Sequence, residues 1–128
     1  MKILGTGIDI VEIGRIEDAS ERNTTFLTRI FTTVEIEYFK SKGFNPCHTA
    51  GTFAAKEAVF KALGKGIGSI KFKDVEIVRE NSGKPVVNLY GNALKYSYSA
   101  GVKNIYISIS HSRDYAVAYA VSEGDDNA

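Results

Sequence analysis

The chain of 128 residues and 14.0 kDa is 44% hydrophobic, 24% charged and 11% aromatic, the composition of one ordinary soluble globular domain without room for separate cofactor and substrate domains. A formal net charge of +1 excludes the strongly basic face expected of nonspecific nucleic-acid binding, and no stretch approaches the ~20 apolar residues of a membrane helix. A single cysteine, Cys47, excludes an internal disulfide framework and a cysteine-built zinc site, which makes a reducing, cytoplasmic compartment the expected home.

From the N-terminus, Ile3 to Ile10 alternates loosely between glycines and Glu12/Arg15, which predicts a strand that closes at Asp9 and enters a helix. The apolar run before Asp9 is far shorter than a signal-peptide core. Phe26, Leu27, Ile30 and Phe31 recur at helical spacing, and Thr32 with Glu35 three residues on is a capping-box signature for a short helix ending by Gly43. Asn45-Pro46 supplies a cap and a first-turn proline for the longest helical pattern, from Ala50 to Gly64. A glycine connector, Gly64 to Gly68, follows. Asp74 to Val78 and Pro85 to Tyr90 read as a hairpin about the turn residues Asn81-Ser82-Gly83-Lys84. Asn92 to Ala100 reads as a helix, and Ile105–Ser110 and Tyr115–Val121 as strands joined by His111-Ser112-Arg113-Asp114. The mixture lacks a regular βαβ alternation, so the expected class is α+β: a compact single domain over 1–121 with an antiparallel sheet and a long central helix. Residues 122–128, which include Glu123, Asp125 and Asp126, are expected to be a disordered acidic tail.

Two acids stand out because their surroundings are apolar. Asp9 closes a strand directly after Gly5-Thr6-Gly7, where the plain alternative is a helix cap. Glu57 lies among Phe53, Ala54, Ala55, Ala58 and Val59, where the plain alternative is an i, i+4 pair with Lys61. If they converged, two hard carboxylates would suit magnesium, with water and a substrate phosphate completing the shell. Lys61, one turn after Glu57, would bring an ammonium to that phosphate. The glycine connector is neither a Walker loop nor a dinucleotide fingerprint. His111 follows the strongest β pattern and could donate to phosphate, although a hydrogen-bonded histidine at a strand end is commoner. Neither His48 nor Cys47 has neighbours in sequence that point to metal or nucleophilic chemistry. Arg15, Arg22 and Arg29 recur every seven residues and could form a basic strip.

Gly7-Ile8-Asp9-Ile10-Val11-Glu12 with Arg15-Ile16, and Phe53-Ala54-Ala55-Lys56-Glu57-Ala58 with Lys61-Ala62-Leu63-Gly64, closely resemble the two motifs of the holo-acyl-carrier-protein synthases, a branch of the 4′-phosphopantetheinyl transferases. The likeness continues through Phe72 to Glu76, Gly83-Lys84-Pro85, Ser108 to Ser112 and Asp114-Tyr115-Ala116, so it spans nearly the whole chain in order. The resemblance implies the phosphopantetheinyl transferase fold, a homotrimer with active sites between subunits, coenzyme A as donor and apo-acyl carrier protein as acceptor in fatty acid biosynthesis. It implies magnesium on Asp9 and Glu57 together with the coenzyme A pyrophosphate, and catalytic roles for Asp9, Glu57 and Lys61. It assigns coenzyme A contacts to Lys61, Gly64, His111 and Ser112, and the carrier-protein surface to Arg15, Arg22, Phe26 and Arg29.

One position departs from the pattern. Where the family usually reads Ala-Gly-Arg-Phe, this chain has Ala50-Gly51-Thr52-Phe53, and the arginine so replaced normally helps to bind the 3′-phosphate of coenzyme A. Lys42 or Lys65 is the expected substitute. The same departure supports the rival reading, a coenzyme A- or carrier-protein-binding module without catalysis. A purely structural trimer accounts for the residues singly but not for their joint wording.

Overall fold

The computed structural model describes residues 1–64 and 69–127; the connector residues 65–68, Lys65 among them, and Ala128 lie outside the described residues. In chain order the elements are β1 (Lys2–Glu12), α1 (Ile13–Arg22), α2 (Phe26–Ile30), α3 (Thr33–Ser41), α4 (Pro46–Leu63), a 3₁₀ turn (Phe72–Asp74), β2 (Val75–Arg79), β3 (Pro85–Leu89), α5 (Gly91–Ser99), β4 (Val102–His111) and β5 (Tyr115–Gly124). Both sheets are antiparallel: a three-stranded sheet in the order β1-β5-β4 and the β2-β3 hairpin. The last strand therefore sits between the first and the fourth.

Helix α4 forms the spine of the core. Its start is set by Asn45, whose side chain accepts from the Cys47 N–H at 3.1 Å, with Pro46 in the first turn; Gly64 ends it in the left-handed conformation at φ 78°. Small residues at Ala54, Ala55, Ala58 and Ala62 let it lie against Ala118 and Ala120 of β5, while Val59, Phe60 and Leu63 fill the space towards Ile70, Val75 and Ile77. A second cluster of Ile13, Ile16, Ala50 and Ala116 seats α1.

The opposite face of α4 is polar, fully buried and closed. Lys56 and Glu35 are each wholly inaccessible and pair at 2.8 Å. The Lys56 ammonium also donates to the carbonyls of Phe72 and Val75, and Glu35 accepts from the backbone N–H groups of Thr32 and Ile77. The predicted capping box at Thr32 and Glu35 forms, and the same glutamate also bolts α3 to α4 and β2. Next to it, buried Glu76 accepts from the hydroxyls of Thr32 and Tyr90. Every donor and acceptor is used, as a buried charge requires.

Three boundaries differ from the sequence reading. β1 runs on to Glu12, so Asp9 lies inside the strand rather than at its end. The N-cap of α1 is Glu12, so Asp9 is not a helix cap. β5 continues to Gly124, so the boundary drawn after Val121 falls within a strand: Ser122 is buried and donates to the Ala62 carbonyl at 2.9 Å, and Glu123 accepts from Asn104 and Tyr106. Composition favoured a loose tail there; backbone pairing with β1 and β4 outweighs it.

Candidate active site

β1 and α4 approach more closely than two ordinary elements could, because Gly5 and Gly7 have no side chains. A Cβ on Gly7 would run into the Ala58 carbonyl and the Lys61 side chain; one on Gly5 would meet the Ala62 carbonyl. Asp9 follows Gly7 by two residues and so lies on the same face of the strand. It is thereby placed beneath the last turns of α4, which carry Glu57 and Lys61 one turn apart.

The Lys61 ammonium donates to the Ile8 carbonyl at 2.8 Å and stands 3.4 Å from an Asp9 carboxylate oxygen. The i, i+4 pairing of Glu57 with Lys61 is thus displaced by a contact from another element. Burial holds the Asp9 carboxyl above its ordinary pKa, with Lys61 and the Ile10 N–H opposing. Burial also raises Glu57, the charge of Asp9 raises it further, and Lys61 opposes. The two acids are therefore electrostatic neighbours that share a single, half-exposed ammonium.

That donor set fits a magnesium ion. It offers two hard oxygen ligands in a partly desolvated spot short of positive charge, and Mg²⁺ commonly takes one or two protein carboxylates and leaves the remainder to water and phosphate. Among the described residues no cluster of three or more His, Cys, Asp or Glu forms a closed metal cage. An open hollow of about 260 Å³ lined by Ile8, Asp9, Ile10, Lys61 and Val117 gives access. Beside it, a groove of about 510 Å³ runs between Ile10, Arg15, Phe53 and Tyr115.

The other residues singled out in the sequence are spread around this centre. Gly64 caps α4 three residues beyond Lys61. His111 ends β4 opposite Ala116, and Ser112 closes the turn into β5, its N–H donating to the Tyr115 carbonyl and its hydroxyl accepting from the Tyr115 N–H. Two strand spacings, about 10 Å, separate β4 from β1, so the Asp9 site and His111 are not in direct contact. Arg15 and Arg22 are exposed along α1, whereas Arg29 is exposed on α2, so the basic strip is split between two helices. Phe26 is half-buried, packed on the Ile13/Ile16 cluster and edge-to-face with Phe31.

Sequence reasoning missed Tyr38, His48 and Arg79, which gather next to Thr52. The Arg79 guanidinium donates to the Thr52 hydroxyl at 3.2 Å and lies 4.8 Å from the centre of the Tyr38 ring, against which His48 packs edge-on. No sequence signal links positions 52 and 79; the pairing exists only because β2 lies beside α4.

Comparison with known proteins places the chain in one family. Residues 5–120 match the ACPS family of the 4′-phosphopantetheinyl transferase superfamily. The holo-[acyl-carrier-protein] synthase of Alkaliphilus metalliredigens is 51% identical over 120 residues, 94% of this chain and 98% of that protein. Among solved structures, the holo-ACP synthase of Plasmodium yoelii superposes with a TM-score of 0.87 at 32% identity, covering 98% of both chains. That of Helicobacter pylori in complex with coenzyme A superposes with a TM-score of 0.81 at 33% identity, covering 92% of this chain and 99% of that one. The fold is that of a phosphopantetheinyl transferase. Within that superfamily the chain belongs to the holo-[acyl-carrier-protein] synthases.

Proposed function

We propose that this chain transfers the 4′-phosphopantetheine group of coenzyme A to a serine hydroxyl of an apo-acyl carrier protein and releases adenosine 3′,5′-bisphosphate, the modification that fatty acid biosynthesis requires. The observation that carries this reading is the meeting of Asp9 and Lys61, from two elements, at an accessible hollow, with Glu57 close enough to feel the charge of both. The serine oxygen forms a bond to the β-phosphorus as the bond from that phosphorus to the bridging oxygen breaks. Asp9 and Glu57 would hold a magnesium ion, which when bound offsets charge on the pyrophosphate and the departing bisphosphate. Lys61, fixed by the Ile8 carbonyl, presents its ammonium to the same phosphates, a preorganised charge that needs no reorganisation during transfer. Arg15, Arg22 and Arg29, with the edge of Phe26, form the surface for an acidic carrier protein.

A homotrimer completes the reading. One face of the three-stranded sheet is covered by α4, while the other leaves Ile8, Ile10, Tyr106 and Tyr119 exposed, with Ile8 opposite Tyr119 across the strands. An apolar sheet face of this kind calls for a partner, and it adjoins the hollow at Asp9, so a neighbouring subunit seated there would help to wall the active site. Consistent with a cytoplasmic enzyme, no helix among the described residues is long and apolar enough to cross a membrane. The test is a mass measurement on apo-acyl carrier protein incubated with coenzyme A, magnesium and this protein. A gain of one phosphopantetheine is expected; binding without a mass gain would refute catalysis. Sedimentation of Tyr119→Glu, expected to shift a trimer to monomers, tests the assembly.

A further inference from the structure

Alternate residues of β5, Ala116, Ala118, Ala120 and Ser122, are buried on the face of the sheet that α4 covers. The first three are alanines and only make room. The fourth brings a wholly buried hydroxyl, 2.9 Å from the Ala62 carbonyl and 3.4 Å from the Gly5 carbonyl, between the last turn of α4 and β1. Both strands that flank β5 bulge at this level: Leu4 of β1 and Lys103 of β4 have no partner on it, and Gly5 and Ile105 stand opposite Ser122. Bulges re-aim the side chains around them. The Ala62 carbonyl needs a donor, being among the last four of α4, which no later turn of the helix serves. The Gly64 N–H that closes the helix is given to Phe60 and Lys61. Without the Ser122 hydroxyl, two carbonyl oxygens would converge on a buried gap with no donor between them, which is a costly arrangement.

We infer that Ser122 is a positioning residue for phosphopantetheine transfer: by tying the last turn of α4 to β1, it fixes where Lys61 stands over Asp9. The inference rests on Lys61 serving the phosphates of the donor. Lys61 directly precedes Ala62, and its ammonium reaches the Ile8 carbonyl at 2.8 Å and an Asp9 oxygen at 3.4 Å, both on the strand that Ser122 tethers. Gly5 and Gly7 permit the close approach of β1 to Ala58, Lys61 and Ala62, because a Cβ at either would collide there. Glycine supplies room and no attraction; the attraction comes from the Ser122 hydroxyl. A lysine head rides on a flexible four-carbon stem, so its aim depends on the backbone that carries it. A misplacement of about 1 Å at a reacting centre is enough to cost on the order of 10²-fold in rate.

The experiment measures kcat, the KM of each substrate and Tm for the full-length protein, Ser122→Ala and Ser122→Cys, each with and without Lys61→Ala. Ser97→Ala is the control: Ser97 is also a buried serine that donates to a helical carbonyl, that of Leu94, but in α5, which carries no site residue. Ser122→Ala should lower kcat on the order of 10-fold, the scale of one well-placed hydrogen bond, and leave the carrier-protein KM unchanged. Ser122→Cys keeps a weak donor and should lose less. In the Lys61→Ala background Ser122→Ala should cost nothing further, since a residue that acts through Lys61 then has nothing to position. Ser97→Ala should lower Tm and leave kcat unchanged, which separates lost stability from lost position. Unchanged kcat in Ser122→Ala, the same fold-loss with and without Lys61, or an equal loss in Ser97→Ala would overturn the inference. If Ser122→Ala does not fold, the same comparison in Ser122→Cys decides. Failure of the unmodified protein to transfer phosphopantetheine would instead refute the reading of its function.

Discussion

Lys56 and Glu57 are neighbours in sequence, and each belongs to a lysine–carboxylate group, yet the two groups do opposite things. On one side of α4 the Lys56–Glu35 pair is sealed and fully hydrogen-bonded. On the other, Asp9 and Glu57 share one exposed ammonium, and burial raises the pKa of both acids. The lesson is that composition does not separate a structural charge from a chemical one. What separates them is whether the protein itself satisfies the charge. The closed pair fixes α3, α4 and β2; the open group leaves its charges accessible from outside.

The comparison breaks most severely at Lys56. Lys56→Met leaves Glu35 buried without its counter-ion and should cost about 3–5 kcal/mol of stability, read by urea denaturation. Lys56→Met with Glu35→Leu should recover much of that loss, since an apolar replacement of a buried pair is far cheaper than half of one. A stable Lys56→Met single variant would mean that the pair is not structural.

Asp9→Asn and Glu57→Gln should act in the reverse sense, lowering magnesium-dependent transfer by about 10²- to 10³-fold with the fold retained. Phosphopantetheine transfer at limiting magnesium measures this, and normal turnover in either variant would remove that acid from the site. The same variants sharpen the contrast in metal-free protein. Because the folded-state pKa of each acid lies above its ordinary value, folding favours the protonated form. Stability should therefore fall as pH rises from the ordinary carboxylate range through the raised values. Asp9→Asn should abolish part of that fall and raise Tm at neutral pH in EDTA; a lower Tm would show that Asp9 stabilises the empty site.

The smallest effects belong to the surface. Neutralising Arg15 or Arg29 should raise the carrier-protein KM several-fold, on the scale of about 1 kcal/mol for an exposed charge, and leave the coenzyme A KM unchanged. The effect should fade with salt, since screening acts over ~8 Å at physiological ionic strength. Equal change in both KM values would move these arginines off the carrier surface.

Much of this architecture is legible along the chain because it is specified locally. The Asn45-Pro46 start and Gly64 end of α4, the Thr32–Glu35 box and the hairpin turn at Asn81–Lys84 are short-range stereochemistry. Asp9 and Glu57 stand out along the chain for a related reason: carboxylates in apolar motifs are costly unless they have partners. The end of β5 was not readable, because an acidic, flexible composition says nothing of the two strands that pair with it.

By itself, then, the sequence determined the helices and turns, the α+β class, and which acids and lysine required an explanation, since these depend on residues within a few positions of one another. Tertiary structure alone decided that Glu35 is the partner of Lys56, that Lys61 turns from Glu57 to the Ile8 carbonyl and Asp9, and that Arg79 stands against Thr52. Each of those contacts joins residues 21 to 53 positions apart on different elements. Their energy depends on distance in space and on how much water is excluded, and neither quantity is written in the order of residues along a chain.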